Sequence, residues 1–125
     1  MSTTISGTNG VTFPDSTSMQ TGQQACKAWV NFDGTGTVAI RGGYNVSSIT
    51  DNGTGDYSIN FIVDMSNANY AIVGIASNND GQSGTRELSM DTDIPPAVDN
   101  ATVITGTAAG AREDIPYVFV AIFSN

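Results

Sequence analysis

Histidine is absent from the 125 residues of this sequence. It is the side chain that most often acts as a general base near neutral pH, and it is the commonest neutral metal ligand. Its absence excludes a Ser–His–Asp or Cys–His arrangement within one chain, and also zinc sites built on cysteine and histidine. We therefore expect a protein that is not an enzyme, with no catalytic residue, no metal ion and no cofactor.

Basic residues are also scarce, since four Lys and Arg residues stand against twelve Asp and Glu residues, for a net charge of −8. The four, Lys27, Arg41, Arg86 and Arg112, are scattered along the chain. A positive patch able to neutralise several phosphates, or to bind an anionic membrane surface, is therefore not expected. We expect no nucleic-acid partner, and we interpret the acidity as an aid to solubility.

Cysteine and long apolar runs are lacking as well. The single cysteine, Cys26, cannot close an intrachain disulfide, and we interpret it as a tolerated thiol rather than an intermolecular bridge. No stretch approaches the roughly 20 apolar residues of a membrane span. The first residues lack the basic and apolar regions of a signal peptide. The sequence thus predicts synthesis in a cytoplasm and no membrane insertion.

What the sequence does contain is a series of short apolar runs between glycine-rich turns, most clearly over residues 26–65. Residues 33–36 and 51–55 carry the residue types that tight hairpin turns require, and Gly42 and Gly43 are interpreted as ending the second apolar run. Over residues 57–65 apolar and polar residues alternate, which predicts a strand with one buried face. We interpret the whole stretch as a β-meander.

Apolar runs continue to the end of the sequence. Residues 70–76 are continuously apolar, which is typical of a strand buried on both faces. Residues 86–91 predict an edge strand with protective charges, and residues 101–107 a short strand. Residues 117–123 have no polar face, so this strand must lie centrally in a sheet or meet a partner chain. Seven or eight short strands predict an all-β fold, with the spacing of a β-sandwich or a small barrel, and we expect a small antiparallel β-sandwich over residues 25–125.

Residues 1–24 form a polar, turn-rich segment with isolated apolar residues at Ile5, Val11, Phe13 and Met19. These are too few to bury a core alone. A disordered tail is one interpretation, and an extended strand shared between subunits is the other. The composition leaves both open. We treat residues 1–24 as an extended stem and oligomerisation segment that precedes the sandwich.

The segment KAWVNFDGTGTVAIRGGYNVSSITDNGTGDYSINF, residues 27–61, resembles the carboxy-terminal head domain of tail fibres from tailed bacteriophages, including many marine and cyanobacterial ones. Heads of that family open on Lys-Ala-Trp-Val-Asn-Phe, followed by a Gly-Thr-Gly turn and an Asn-Val-Ser-Ser-Ile-Thr-Asp-Asn-Gly-Thr-Gly-Asp-Tyr stretch. Residues 7–20, GTNGVTFPDSTSMQ, are similar to the GxxGxxFPDGxxQ stem that precedes such heads, with Ser16 where glycine is usual. The resemblance weakens after Met65, apart from an Asn-Tyr-Ala opening at Asn69.

The resemblance implies a homotrimer on the virion, whose stem contacts other virion proteins and whose head attaches to a host-surface glycan or outer-membrane protein. It also implies where the subunits meet: Ile5, Val11, Phe13 and Met19 would face a threefold axis, and Phe119 and Phe123 would lie at the interface. Polar loop side chains suit sugar hydroxyls. The expected receptor-binding residues are Asn78, Asn79, Asp80, Gln82 and Arg86 in one loop, and Arg112 and Glu113 in another.

Two other functions remain open from the sequence. One is a capsid decoration or head-fibre protein, suggested by a short chain without a long shaft. The other is a polysaccharide depolymerase, which would need a carboxylate pair in a cleft. Asp91 and Asp93 could offer oxygen ligands to Ca²⁺ but match no known loop motif, so we interpret them as solvated turn residues. Trp29 could stack on a sugar, but its place beside Val30 favours packing in the core.

Overall fold

The computed structural model describes residues 4–6, 10–12, 14, 16, 18–19, 26–78 and 85–124. The regular structure of these residues is entirely β. No helix in this part of the chain is long and apolar enough to cross a membrane. The strands among the described residues are β1 (Thr4–Ser6), β2 (Gly10–Thr12), β3 (Ser18–Met19), β4 (Cys26–Asp33), β5 (Ala39–Tyr44), β6 (Val46–Gly53), β7 (Asp56–Phe61), β8 (Ala71–Ser77), β9 (Arg86–Met90), β10 (Asn100–Thr107) and β11 (Tyr117–Phe123).

Two four-stranded antiparallel sheets make the body of the fold. The front sheet has the strand order β5-β4-β11-β8, and the back sheet has the order β6-β7-β10-β9. The expected all-β sandwich is confirmed. A third, three-stranded sheet, β1-β2-β3, forms within the N-terminal segment.

The core lies between the central strands of the two sheets. Strands β4 and β11 of the front sheet and β7 of the back sheet bury every second apolar side chain, as the period of two requires, whereas β10 is buried at consecutive positions from Ala101 to Val103. Burial of one such aliphatic or aromatic side chain contributes about 1.5–3 kcal/mol. The rings of Phe32 and Tyr57 meet edge to face across the two layers, with centroids 5.2 Å apart. The buried hydrophobic residues of this core are Ala28, Val30, Phe32, Tyr57, Ile59, Phe61, Met65, Ala101, Val103, Ile115, Val118, Val120 and Ile122.

Asn45 is the corner at which the chain passes from the front sheet to the back sheet. It is the one residue between β5 and β6, and its φ of 56° lies in the left-handed region that asparagine tolerates. Its side-chain amide donates to the carbonyl oxygens of Lys27 and Val63, and its Oδ1 accepts from the Val63 amide at 2.7 Å. The β-meander interpretation is therefore wrong, because β5 and β6 belong to different sheets.

The same corner ends the alternation that the sequence carries to Met65. Strand β7 stops at Phe61, and Val63 is exposed, because Asn45 binds both the amide and the carbonyl of Val63. Met65 is nevertheless buried. Gly42 and Gly43 do not end an element either, since both lie inside β5. An ideal Cβ at Gly43 would lie only 3.0 Å from Trp29 O, so glycine lets the two backbones approach there, whereas a Cβ at Gly42 would make ordinary contact with Trp29 Cη2 at 3.5 Å.

The predicted places of the last strands are partly confirmed. Strand β11 lies centrally between β4 and β8, and β9 is an edge strand, as expected. Strand β8 is also an edge strand and is not buried on both faces. Gly74, at the middle of β8, allows close packing on two neighbours. An ideal Cβ there would press on Phe119 O of the adjacent strand β11 and lie 2.6 Å from Leu88 Cδ2 of β9 in the back sheet. The uninterrupted apolar run therefore reflects an apolar outer side rather than double burial.

Candidate interaction surfaces

The outward side of the front sheet carries two rows of uncharged side chains, which together we call the front face. Strand pairing sets both rows, because it places partners side by side on one face. Five of the eight residues are large apolar or aromatic groups. The first row is Tyr44, Trp29, Ala121 and Val73, and the second row is Gly42, Asn31, Phe119 and Ile75.

Trp29 lies on the front face and not in the core, so the expectation of core packing is wrong. It is 44% exposed, and its ring extends over Gly42 on the neighbouring strand. Strand alternation explains the error, since Ala28, Val30 and Phe32 occupy the inward positions of β4. Trp29 therefore shares its face with Asn31. The alternation of inward and outward positions along β4 would have placed Trp29 on the outer side.

The front face is apolar to a degree that is unusual for an exposed sheet side. Ile75 is 62% exposed and Tyr44 is 60% exposed, while Phe119 is half-buried between its neighbours. Asn31 lies in the second row, and its Oδ1 atom is buried without a hydrogen-bond partner in the described part of the chain. A shallow groove of about 400 Å³ runs over this area between Trp29 and Ile75.

One end of the front sheet is polar. Arg41 forms an ion pair with Asp33 at 2.9 Å, donates to the Pro116 carbonyl, and lies over the Tyr117 ring at 4.8 Å from its centroid. Hydrogen bonds from the hydroxyl and amide of Thr35 hold the pKa of Asp33 below its ordinary value. The charges at this end therefore satisfy one another and limit the apolar area on that side.

The exposed apolar surface of the front face continues past Tyr44, around the β5 edge of the front sheet. Tyr44 lines a groove of about 650 Å³ together with Lys27, Ile62, Val63 and other residues of the 62–66 segment. Ile62 and Val63 are both strongly exposed. The apolar surface thus extends from β8, across the front sheet, to the segment that follows β7.

The outward side of the back sheet, which we call the back face, is polar and mostly uncharged. Hydroxyl and amide side chains hydrogen-bond one another across its strands. Asn60 donates to Ser48 and Thr50, while Ser58 receives a bond from Asn52 and shares one of 3.0 Å with Thr102. The back face is defined by Ser48, Thr50, Asn52, Ser58, Asn60 and Thr102.

Arg112, one of the predicted receptor-binding residues, lies between two acidic side chains of the back sheet. Its Nη1 is 2.6 Å from Asp56 Oδ2, and its Nη2 is 3.4 Å from Asp91 Oδ2. The hydrogen bond with Asp56 raises the pKa of the guanidinium above its ordinary value. Asp91 is only 5% exposed, so its interpretation as a solvated turn residue is wrong. Its other oxygen, Oδ1, accepts from the Asp93 amide.

Arg86 and Glu113, predicted in two different loops, lie against each other. Arg86 Nε is 2.7 Å from Glu113 Oε2, and the side chain of Arg86 is largely buried. Asn78 follows β8 directly and is half-buried. Asn79, Asp80 and Gln82 lie outside the described residues. The structure therefore brings two of the seven candidates together as an ion pair, and receptor binding by the set stays a prediction.

The loop that carries Arg112 and Glu113 is fixed by a buried tyrosine. Tyr57 Oη lies 2.9 Å from both the Gly34 carbonyl oxygen and Asp114 Oδ1, and Asp114 also accepts from the Gly55 amide. Burial, with the Asp114 carboxylate second, raises the pKa of Tyr57 well above its ordinary value. This network joins turns from both sheets to the 108–116 loop, and sequence reasoning missed it because its members are far apart in the chain.

The residues predicted at a trimer interface fall in two places. In the N-terminal sheet, Ile5 pairs with Val11, and Val11 pairs with Met19, so the three occupy one row of the register. Phe13 lies outside the described residues. Phe119 belongs to the front face, and Phe123 is exposed on the same side of β11. The interface itself stays a prediction.

Among the described residues no three Asp, Glu or Cys side chains lie together as a metal ion would require. The two buried carboxylates, Asp56 and Asp91, face Arg112 rather than an open cleft.

No protein-family model, curated protein or solved structure matches this chain.

Proposed function

We propose that this protein is the head of a bacteriophage fibre, which acts as a homotrimer and attaches the virion to a glycan or outer-membrane protein of the host surface. The observation that carries the proposal is that residues 27–61, which resemble such heads, form one continuous unit of the fold. They comprise β4 to β7, two hairpins in facing sheets joined at Asn45. Recognition would then fall to the loops outside this unit.

The stem resemblance is supported by the backbone at Ser16. The fibre stem has glycine at this position, and Ser16 adopts a φ of 68°, in the left-handed region that glycine occupies most easily. Ser16 therefore has the left-handed backbone conformation that glycine favours, although it is not glycine as in the fibre stem. This agreement comes from a part of the chain separate from residues 27–61.

The attachment role is tested by binding to cells. Fluorescently labelled full-length protein is added to a panel of bacterial strains, and strains that bind it are treated either with periodate, which oxidises surface glycans, or with a protease. Binding abolished by periodate alone indicates a glycan, and binding abolished by protease alone indicates a protein. The proposal predicts that the protein also blocks adsorption of its phage to a binding strain. Lack of binding to a host strain would contradict it.

The predicted loop candidates can be examined in the same assay. Asn78→Ala is expected to weaken cell binding several-fold, because the amide can donate and accept bonds to sugar hydroxyls. Asn67→Ala is the matched control, since Asn67 is an exposed loop asparagine between β7 and β8. Equal binding by both variants and the wild type would remove Asn78 from the site.

A capsid decoration protein is the second candidate. It is favoured by the internal use of the charged candidates, because Arg86, Glu113 and Arg112 are all engaged in ion pairs within the chain. Charged side chains paired within the chain suit a structural protein better than a site that binds a charged receptor. Gold-labelled antibodies on intact virions separate the two functions, since label on tail tips supports the fibre head and label across the capsid supports decoration.

A further inference from the structure

We propose that the free edge of β8 binds an extended segment of a partner protein, which adds to the front sheet as a fifth strand beside β8. The chemistry of the edge defines this segment: it is about as long as β8, carries no charge where it pairs, and is apolar at alternate positions. The inference goes beyond the proposed function and does not rest on it, because strand addition requires only an open sheet edge.

The first argument is the backbone of β8. One edge of the strand pairs with β11, and the other edge pairs with no strand among the described residues. Outside the β8–β11 ladder, no backbone hydrogen bond in that part of the chain involves residues 71–77. Every second residue of an antiparallel strand turns its N–H and C=O away from the partner strand. The free edge therefore presents donors and acceptors at the repeat of an extended peptide, which is the ligand that satisfies them all.

The second argument is a comparison of the four edge strands of the sandwich, since proteins usually protect such edges with charges, bulges or short length. Strand β5 carries Arg41, which its pairing with β4 skips, and β6 carries Asp51 and two interruptions of its register. Strand β9 has only five residues and includes Arg86 and Glu87. Strand β8 has seven residues, no charge, no proline and an unbroken register with β11. Of these four edges in the described part of the chain, β8 alone lacks protection against pairing.

The third argument is the space beside this edge. A groove of about 330 Å³ lies between the edge strands of the two sheets, where Gly74 of β8 faces Leu88 and Met90 of β9. Residues paired across two strands lie on the same side of the sheet, so the residue beside Gly74 would point inward, over this groove. Its two neighbours would lie beside Val73 and Ile75 on the front face. Both sides are uncharged and mainly apolar, which selects an uncharged segment with apolar residues at alternate positions.

A second copy of this chain fits the edge less well than a different protein. Two copies that each carry a net charge of −8 repel each other. Two β8 strands paired antiparallel along their whole length would place Gly74 opposite Gly74, so no side chain would enter the groove of either copy. Pairing with another edge would meet the charges of β5, β6 or β9. The occupant is therefore a strand of another protein.

The test uses the full-length protein and a fluorescently labelled synthetic peptide of alternating threonine and valine, as long as β8, with a lysine at each end for solubility. The control peptide has the same sequence with every backbone amide methylated, so it keeps the side chains and loses the N–H donors. Fluorescence anisotropy should show saturable binding of the first peptide and at least about tenfold weaker binding of the control, because several ladder hydrogen bonds are lost.

Hydrogen–deuterium exchange of the protein locates the peptide. Residues 71–77 should exchange more slowly when the peptide is bound, because the outward amides of β8 then donate to it. Residues 46–53 of β6, the edge of the other sheet, should exchange at an unchanged rate.

A pair of protein variants tests the edge independently. Ile75→Lys places a charge on β8, and Ile62→Lys is the matched control, because Ile75 and Ile62 are exposed to 62% and 66% and Ile62 follows β7. Circular dichroism during thermal unfolding verifies that both variants are folded. Ile75→Lys should bind the peptide about tenfold more weakly, as charges on edge strands oppose pairing, and Ile62→Lys should bind it like the wild type.

Any of four results overturns the inference. Equal binding of the two peptides would show that side chains and not the ladder are recognised, and equal slowing of exchange in β6 would show that β8 is not the preferred edge. Slower exchange of residues 71–77 as the protein alone is concentrated would assign the edge to a second copy. No binding, or wild-type binding by folded Ile75→Lys, would show that the edge does not accept a strand. The attachment function fails separately, by absence of cell binding.

Discussion

The front and back sheets bury the same kind of side chain between them, yet their outer sides differ. The back face consists of Ser, Thr and Asn side chains that hydrogen-bond one another. The front face consists mainly of Trp29, Phe119, Val73 and Ile75. Antiparallel sheets usually keep one side apolar and the other polar. The back sheet follows this rule and the front sheet does not, since the front sheet is apolar on both sides.

The largest expected effect distinguishes the two sides of the front sheet itself. Gly74→Ala is expected to destabilise the fold by about 3 kcal/mol, because its Cβ would press on Phe119 O and on Leu88 across the sandwich. Gly42→Ala, on the outer side, should change the free energy of unfolding by less than about 0.5 kcal/mol, since its Cβ meets only the Trp29 ring at 3.5 Å. Urea unfolding measures both. Similar losses would show that the inner side is not the more tightly packed one.

The joint between the sheets comes next. Asn45→Ala is expected to cost about 2 kcal/mol, because three hydrogen bonds of the side chain are lost and alanine is strained at φ 56°. Asn45→Gly relieves the strain and loses only the hydrogen bonds, so it should cost about half as much. Chemical denaturation of the three proteins is the measurement. Wild-type stability in Asn45→Ala would mean that the corner is held by the strands alone.

A smaller effect is expected on the inner side of the back sheet. Tyr57→Phe should cost about 1.5 kcal/mol, because the Gly34 carbonyl and Asp114 lose a buried hydroxyl. The raised pKa of Tyr57 favours the neutral phenol in the folded state. The stability that the neutral Tyr57 hydroxyl contributes is therefore fully present below the unfolded-state pKa of about 10. It is lost progressively as the pH rises above that value, toward the higher pKa of the folded state. Thermal unfolding between pH 8 and pH 11 should show a steeper alkaline loss for wild type than for Tyr57→Phe, and parallel curves would contradict the assignment.

The smallest effect concerns the back face. Thr102 is 1% exposed, and its hydroxyl bonds Ser58 across β10 and β7. A double-mutant cycle of Ser58→Ala and Thr102→Val should give a coupling energy of about 0.5–1 kcal/mol, as for other cross-strand hydroxyl pairs. Purely additive losses of stability would show that the hydrogen bond between Ser58 and Thr102 does not stabilise the back sheet.

The sequence predicts the class of fold because most of its signals are local. Period-two alternation in β7, the turns that follow Asp33 and Gly53, and the lack of charge in β11 each depend on neighbours in the chain, although residues 51–53 of the second predicted turn belong to β6. The sheet to which a strand belongs is a long-range property. The single residue Asn45, which sends β5 and β6 to different sheets, looks in the sequence like an ordinary turn residue.

The interaction surfaces could be predicted only in part. The partners of Arg86, Arg112 and Glu113 lie at least 21 residues away in the chain, so the sequence shows isolated charged residues and not the ion pairs that hold them. The outward position of Trp29, by contrast, could be predicted, because the apolar residues Ala28, Val30 and Phe32 occupy alternate positions of β4 and leave Trp29 on the other side. The apolar residues of β8 resemble those of a buried strand, since exposure at an edge cannot be read from composition.

The proposed homotrimer, with Phe119 at its interface, is tested most directly through Trp29, because Trp29 is the only tryptophan of the chain and lies on the front face beside Phe119. Acrylamide quenching of its fluorescence is followed while the full-length protein is diluted from about 100 µM to about 0.1 µM, a range that spans dissociation of a modest interface. If copies cover the front face, quenching is weak at high concentration and rises several-fold on dilution, as the mass falls to one chain. Strong quenching of Trp29 at every concentration would show that the front face stays open to solvent, and would contradict the account.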